Sequence, residues 1–295
     1  MDYFECPKGS DSEKCEFRAR SGSVRDANSV GVKECQECSL VIHSEPLRQL
    51  VNYESGSMGN WSNGYGDQSN EPSNEPSNDT VRRFDSIVDL SKIYSIKRIL
   101  DVGCGEGLMV KKLAEAFHAE GVEPEDRARE ICIKSGLRVH NGLQTLEDTG
   151  ELFDAISMFH VIEHIYKPFD LLRQLQKLLR PNGLLLIETP NSMDALLKMY
   201  ECSPFQNFTY WSHHPMLYSP NALTYLVSRS GYKILENAGV QRYSIENHMH
   251  WLSKGKPGGH EIWRGRFSSE TNHEYAKWLI EKKVSDTLWL IAIKD

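Results

Sequence analysis

Residues 99–107 read ILDVGCGEG: extended hydrophobic residues, an aspartate, and then glycines at the alternate positions 103, 105 and 107. The run KRILDV (97–102) predicts a buried strand, and apolar residues at helical spacing over 110–117 predict a helix after the turn. Glycines in such a turn let the backbone approach a ligand where a Cβ would collide. The stretch predicts a nucleotide-type site, and close packing of a strand on a helix is the alternative.

Two carboxylates beside this turn distinguish between ligands. Asp101 stands directly before it, where a negative charge would repel a pyrophosphate but attract an ammonium group. Glu123 follows the second predicted strand, 119–122, where an acidic side chain can accept both hydroxyls of a ribose. An adenosine that carries an amino acid satisfies both carboxylates, whereas a dinucleotide does not.

Strand and helix patterns continue to alternate along the chain. Helices are predicted to begin at Pro124 and at Pro168, and a further helix is predicted over 222–230. The helix that begins at Pro168 is predicted to end at RPNG (180–183). Further strands are predicted over 137–140, 153–158, 184–188, 232–235 and 286–293. This βα alternation predicts an α/β fold, Rossmann-like, with a doubly wound, seven-stranded and mostly parallel sheet.

Composition narrows the function classes. The 295 residues carry a formal net charge of -7, which gives no general attraction to nucleic acid or anionic lipid. We find neither a long uncharged apolar run nor the apolar core of a signal peptide, so we expect a cytoplasmic protein without membrane insertion.

Four stretches resemble the motifs of class I S-adenosylmethionine-dependent methyltransferases, in that family's order. They cover roughly residues 95–190 and are RILDVGCGEG, GVEP, FDAISMFHVIEHI and LLRPNGLLLIETPN. The combination is far more specific than any one motif. The resemblance implies methyl transfer, with S-adenosyl-L-methionine as cofactor.

The same resemblance implies which residues bind the cofactor. Asp101, Gly103 and Gly105 would line the methionine end, and Glu123 with Pro124 would bind the ribose. Asn141, Gly142 and Leu143 would lie near the adenine, although the acidic residue that the family often has there is missing. Met158, Phe159 and His160 would lie beneath the sulfonium.

Histidines near these motifs are the candidates for a general base, because their pKa lies near neutrality. His160 and His164 lie in FHVIEHIYKP, and His214 lies in YWSHHPMLYSP beside His213. The catalytic candidates are His160, His164 and His214. Alternatively, Glu163 and these histidines could bind a divalent ion, because the arrangement resembles one in quinone-type O-methyltransferases, or they could have a structural role alone.

An aromatic and polar segment, 241–263, precedes the last predicted strand. Such residues suit stacking on a sugar or ring acceptor, and loop packing is the competing account. The segment resembles parts of bacterial methyltransferases that modify surface-polysaccharide or secondary-metabolite sugars. A hydroxyl of a sugar or glycoconjugate precursor is therefore the expected acceptor.

Four of the seven cysteines lie near the N-terminus. Cys35 and Cys38, two residues apart, resemble the second half of a zinc ribbon, and Cys6 and Cys15 could supply the other ligands. The wider spacing of that first pair departs from the pattern, so free thiols or a metal-free remnant are the alternative. Structural zinc is the expected metal, because four cysteine ligands leave no open position for catalysis.

These observations predict three segments. Residues 1–45 form a cysteine-bearing, zinc-ribbon-like segment, 46–80 with its EPSN repeat a flexible linker or lid, and 81–295 a methyltransferase domain whose insertion at about 196–283 binds the acceptor. The expected partner is a small-molecule acceptor, and a homo-oligomer is left open. The alternatives are a nicotinamide-dependent oxidoreductase and a non-catalytic methyltransferase-like scaffold.

Overall fold

The computed structural model describes Cys6 and residues 15–47 and 77–295. Most of the predicted linker, 48–76, lies outside the described residues, so its flexibility stays a prediction. The chain divides into two compact units. The histidine unit consists of Met1–Leu47, His160–Phe169 and Ile187–Ala292, and the glycine-loop unit consists of Arg48–Phe159, Asp170–Leu186 and Ile293–Asp295.

Strands occur along the whole described chain. They are β1 (Phe17–Val24), β2 (Ala27–Cys35), β3 (Val41–His43), β4 (Arg98–Val102), β5 (His118–Val122), β6 (Val139–His140), β7 (Phe153–Phe159), β8 (Leu179–Pro190), β9 (Met216–Leu217), β10 (Tyr232–Val240) and β11 (Thr287–Lys294).

Helices alternate with the strands after residue 77. They are α1 (Asn78–Tyr94), α2 (Leu108–Leu113), α3 (Asp126–Lys134), α4 (Leu143–Thr149), α5 (Pro168–Leu178), α6 (Ala195–Lys198), α7 (Ser203–Thr209), α8 (Pro220–Arg229), α9 (Ile245–Lys254), α10 (Gly259–Ile262) and α11 (Ser269–Glu281), with a 3-10 turn at Ile162–His164. None of these helices is long and apolar enough to cross a membrane.

The seven strands β10-β11-β8-β7-β4-β5-β6, in that spatial order, form one sheet. In the glycine-loop unit β4 pairs in parallel with both β5 and β7, and β5 pairs in parallel with β6. The strand order reverses direction between β7 and β4, and ligands bind outside the carboxyl ends of parallel strands at such a reversal. The predicted seven-stranded, mostly parallel fold is confirmed.

A separate antiparallel sheet, in the order β1-β2-β3-β9, lies within the histidine unit. Its strands bury Val24, Val30, Val32, Val41 and Leu217 in one apolar cluster together with Tyr210. The cysteine-bearing N-terminal segment therefore forms three strands of this sheet. The fourth strand, β9, lies more than a hundred residues later in the chain.

Two boundaries differ from the predicted ones. Helix α1 begins at Asn78, inside the predicted linker, because the Ser77 hydroxyl accepts a hydrogen bond from the Thr80 N–H and caps the helix. Helix α5 ends at Leu178, and strand β8 begins at the next residue, Leu179, before the predicted residue 184, so the RPNG stretch lies inside β8. Asn182 takes a left-handed conformation there, with φ 61°, which turns the chain near the start of the strand.

Three helices, α9 to α11, lie between β10 and β11 in the sequence. The part of the predicted insertion (about 196–283) that follows β10 is therefore helical. Trp251 of α9 lies with Leu196 and Cys202 in a buried cluster, packed against Phe205 and Phe208. The Trp251 ring of the aromatic segment 241–263 therefore packs in the protein interior.

Candidate active site

The glycine turn joins β4 to α2 at the carboxyl edge of the parallel strands. The N–H groups of Gly103 and Cys104 both donate to the Val122 carbonyl oxygen, at 2.8 and 3.1 Å, and so tie the turn to the end of β5. Gly105 has φ 54°, and a Cβ built there would meet no atom within 4 Å. The turn therefore leaves open space beside a backbone that glycine adopts without strain.

Asp101 lies on β4 just before this turn and is almost fully buried. The Ser157 hydroxyl on β7 donates to its carboxylate at 2.7 Å. Burial is the largest influence and raises the pKa of Asp101 to about 6, against the opposing effects of Ser157 and the Arg83 charge. The group is thus a desolvated carboxylate that a nearby cation would keep ionised.

Glu123 directly follows β5 and holds the turn from the other side. One carboxylate oxygen accepts from the Gly105 N–H at 2.8 Å, and the other accepts from the Glu125 N–H at 2.9 Å. Burial raises the pKa of Glu123. Each oxygen retains acceptor capacity, as a residue that binds the two hydroxyls of a ribose requires.

Asn141, Gly142 and Leu143 follow β6 at the same edge. Gly142 is the extended residue before α4, and the Asn141 side chain accepts a hydrogen bond of 2.9 Å from the Thr145 hydroxyl. Glu120, in the middle of β5, forms ion pairs with Arg98 and Arg138. The three predicted adenine residues thus lie next along the edge after Glu123.

The end of β7 separates the predicted residues onto two faces. Ser157 is the register partner of Asp101, and Met158 is the partner of Val102. Because successive side chains alternate between faces, the fully buried Met158 side chain lies on the face opposite Asp101. Any contact from Met158 to a ligand on the Asp101 face would use its main chain. Phe159 carries the Arg83 guanidinium 4.8 Å above its ring.

His160 comes directly after Phe159 and belongs to the histidine unit. It has a left-handed backbone, with φ 57°, a conformation that is uncommon for histidine and typical of functional sites. Its N–H donates to the Glu188 carbonyl oxygen at 2.8 Å. The ring is about one-quarter exposed, with Nδ1 lying 3.3 Å from a Glu163 oxygen and Nε2 lying 3.4 Å from a Glu188 oxygen.

Glu163 is a fully buried carboxylate beneath this ring. Its second oxygen accepts from the Thr189 hydroxyl at 2.9 Å. Burial alone would raise the pKa of Glu163, but the hydrogen bond with His160 and the electrostatic interactions with His160, His164 and His214 lower it to about 2. Glu163 is therefore ionised and can orient His160.

His164 and His214 lie in contact, with ring centroids 4.7 Å apart. His164 Nδ1 donates to the His213 carbonyl oxygen at 2.7 Å, and burial lowers the pKa of His164. Burial also lowers the pKa of His214 well below its usual value, and that of His213. Potential ligand atoms of Glu163, His164 and His214 lie within 4.8 Å of one another, so the predicted divalent-ion alternative has a compact donor set.

Three of the four predicted zinc ligands come together. The sulfurs of Cys6, Cys35 and Cys38 lie within 4.8 Å of one another, with Cys6 Sγ 3.4 Å from Cys35 Sγ and 3.2 Å from Cys38 Sγ. Cys15 is outside this compact group but interacts with Cys6 and Cys35. Burial raises the pKa of Cys35 to about 11, so a metal would have to displace its proton.

Sequence reasoning missed the polar residues around His160. Arg242 Nη1 lies 3.1 Å from His160 Nε2, and its Nε lies 3.4 Å from an Asp286 oxygen. Glu188 ends the otherwise apolar predicted strand 184–188, and Thr189 follows it; two polar residues at the end of a strand expected to be buried are the signal that could have indicated a site. Arg242 lies in the aromatic and polar segment 241–263, but no spacing in the sequence indicated His160 as its partner.

The parallel sheet, the glycine turn and the paired carboxylates define the fold of class I S-adenosylmethionine-dependent methyltransferases. A solved S-adenosylmethionine-dependent methyltransferase from Archaeoglobus fulgidus is similar, with a TM-score of 0.50 and 18% identity, over 73% of this chain and 94% of that one. At that identity the likeness shows the fold alone.

Residues 74–237, more than half of the chain, match the family described as "Methyltransferase domain". The chain belongs to this family, whose cofactor is S-adenosylmethionine.

Curated relatives match a shorter stretch. The ubiquinone biosynthesis O-methyltransferase of Haemophilus ducreyi is 32% identical over 108 residues, which is 32% of this chain and 46% of that protein. The protein of the same name from Ruegeria pomeroyi is 34% identical over 118 residues, 37% of this chain and 47% of that protein. This chain thus spans about half the length of the curated relatives it matches.

Proposed function

We propose that this protein transfers the methyl group of S-adenosylmethionine to a hydroxyl oxygen of a small molecule. The observation that carries the proposal is the placement of two buried carboxylates, Asp101 and Glu123, at the carboxyl ends of the adjacent parallel strands β4 and β5. The first suits an ammonium group and the second a ribose. The Gly105 backbone between them leaves open space for the link between those two groups.

His160 is the proposed general base. When bound, S-adenosylmethionine would supply an electrophilic methyl group and its own sulfur as the leaving group. His160 Nε2 would accept the proton that the methylated hydroxyl releases. Glu163, ionised and held by Thr189, stabilises the positive ring that results, as a carboxylate does for the histidine of a catalytic triad.

His160 is favoured over His164 and His214 on exposure. Its side chain is about one-quarter exposed, whereas the His164 ring is buried and commits Nδ1 to a carbonyl oxygen. Burial also lowers the pKa values of His164 and His214, which weakens both as bases. These two histidines are proposed to buttress Glu163.

The proposed acceptor is a sugar or glycoconjugate precursor, supported by the polar and aromatic character of 241–263. A second candidate is an intermediate of ubiquinone biosynthesis, favoured by the names of the curated relatives. Packing of Trp251 in the protein interior reduces the number of rings available for stacking on a sugar. Incubation with acceptors of both classes, followed by product mass, distinguishes them.

Binding of S-adenosylhomocysteine tests the cofactor site directly. We expect saturable binding that Asp101→Ala abolishes and Glu123→Ala weakens, with Glu130→Ala on exposed α3 surface as the matched control. Tight binding of NADH without binding of S-adenosylhomocysteine would favour an oxidoreductase. Cofactor binding without turnover on any acceptor of a broad set would favour a non-catalytic scaffold.

We also propose that the four N-terminal cysteines hold one structural zinc ion. The cluster of Cys6, Cys35 and Cys38 supports three ligands, and Cys15 lies close enough to interact with two of them. Tetrahedral zinc takes four such thiolates. The bound ion would fix the chain before β1 to the turn that follows β2.

A further inference from the structure

The contact between Arg242 and His160 is the least expected feature of the histidine unit. The two residues are 82 positions apart, and Arg242 Nη1 lies 3.1 Å from His160 Nε2. A guanidinium has donors and no acceptor, and it stays charged at any pH that a protein tolerates. The N–H of Arg242 therefore donates to the lone pair of Nε2, and Nε2 carries no proton.

The other ring nitrogen of His160, Nδ1, must then carry the ring proton. A neutral imidazole has one proton, which must then lie on Nδ1, facing a Glu163 oxygen at 3.3 Å. This places the proton against the buried carboxylate and the lone pair toward Arg242. Without Arg242 the opposite tautomer would gain a partner, because a Glu188 oxygen lies 3.4 Å from Nε2 and can only accept while it is ionised.

Arg242 is itself held by Asp286. The Asp286 carboxylate accepts from the backbone N–H groups of Arg242 and Tyr243, at 2.9 and 3.1 Å, and from Arg242 Nε at 3.4 Å. Asp286 is nearly buried and the Arg242 side chain is one-fifth exposed. Since two of these three bonds use main-chain donors, the segment stays anchored when the side chain is replaced.

We infer that Arg242 is a positioning residue that keeps His160 in the tautomer with the proton on Nδ1 and the lone pair on Nε2. The inference rests on the proposed function for its catalytic meaning, because only an unprotonated Nε2 can take the acceptor's proton, and in the reaction the acceptor hydroxyl replaces the Arg242 N–H at that lone pair. Nδ1 cannot substitute, since it faces the buried Glu163. Arg242 thus prepares the base without itself taking a proton.

The tautomer is measured directly by the ring ¹⁵N chemical shifts of the full-length protein, at a pH where His160 is neutral. His160→Asn identifies the signals by their loss. The wild type is expected to show a protonated Nδ1 and an unprotonated Nε2. In Arg242→Met the proton should move to Nε2, while Arg242→Lys, which keeps a cationic donor, should restore the wild-type pattern at least in part. Arg266→Met, at an exposed arginine of the same unit, is the matched control.

Turnover supplies the second measurement. Arg242→Met should lower kcat by at least tenfold while the affinity for S-adenosylhomocysteine stays within about threefold of wild type, and Arg242→Lys should recover part of the loss. An unchanged ring ¹⁵N pattern in Arg242→Met would overturn the inference whatever the turnover. The expected change of tautomer in a protein without any turnover would support the inference and count against the proposed function instead.

Discussion

The Ser157 hydroxyl donates a 2.7 Å hydrogen bond to the Asp101 carboxylate, and the two residues are register partners on the parallel strands β7 and β4. The bond stabilises the ionised form of a carboxyl group whose pKa burial raises to about 6. An ammonium ligand needs that ionised form. The pH dependence of cofactor binding therefore reports on this pair.

We expect binding of S-adenosylhomocysteine to weaken as the pH falls through about 6, by up to about tenfold for each further pH unit, because Asp101 then takes up a proton. Ser157→Ala removes a bond to the charged form, so the pKa of Asp101 rises further and the loss of affinity begins at higher pH. Calorimetric titrations from about pH 5 to about pH 8 measure both effects.

Ser135→Ala, at an exposed serine next to α3, is the control and should leave the pH profile unchanged. A wild-type affinity that is flat across the range would contradict the role of Asp101 as the ammonium partner.

His160→Asn should lower kcat by about 10²- to 10⁴-fold, the usual contribution of a general base. Asparagine tolerates the left-handed backbone of this position, so the fold should be retained and S-adenosylhomocysteine affinity should stay within a few-fold. Single-turnover rates with the identified acceptor provide the measurement. His260→Asn, at an exposed histidine, serves as control. Wild-type rates in both His160→Asn and His214→Ala would mean that positioning alone accounts for the reaction.

Two glycines of the turn allow a matched comparison. Both have positive φ, 54° at Gly105 and 82° at Gly107, but a Cβ at Gly107 would lie 2.6 Å from Leu137 and 2.8 Å from Cys132. Gly107→Ala should lower the free energy of unfolding by about 1 to 3 kcal/mol more than Gly105→Ala, since only the former adds a steric clash to the backbone strain.

Gly105→Ala should instead weaken cofactor binding, because its Cβ would enter the space proposed for the ligand. Urea denaturation and S-adenosylhomocysteine titration of both variants separate the two effects. Equal losses of stability with unchanged affinity in both would argue against a ligand at Gly105.

Metal analysis of protein purified without chelators should give about one zinc ion per chain. Cys38→Ser should abolish binding, whereas Cys202→Ala, at a buried cysteine elsewhere in the histidine unit, should retain it. Chelation should lower the thermal stability, since a structural zinc ion contributes folding free energy. Less than about a tenth of an equivalent in the wild type would reject a stable site.

The secondary-structure elements that follow from local sequence patterns were predicted correctly. The period of apolar residues and the glycine turn placed β4, β5 and β7 within a few residues, because strands and helices each repeat their side chains at a fixed spacing. The boundary at Ser77 and the early start of β8 were missed, because a capping hydroxyl and a left-handed Asn182 act on single residues.

At the proposed cofactor site, too, some residues could be predicted from sequence and others could not. Asp101 and Glu123 could be chosen from sequence because each lies at the carboxyl end of a predicted strand, and parallel strands bring their carboxyl ends to one edge. Ser157 and Arg83, which influence the pKa of Asp101, lie on other elements and carry no motif. Their contribution depends on strand register and helix packing.

The sequence by itself determined the α/β fold, the methyltransferase family and the edge of the sheet at which the cofactor is proposed to bind. Only the tertiary structure decided which nitrogen of His160 carries the proton, since Arg242, Glu188 and Glu163 reach that ring from different parts of the chain. The physical reason is the distance along the chain over which each kind of interaction acts. Periodicity and turn chemistry act over a few residues, whereas hydrogen bonds between distant residues exist only after packing has brought them together.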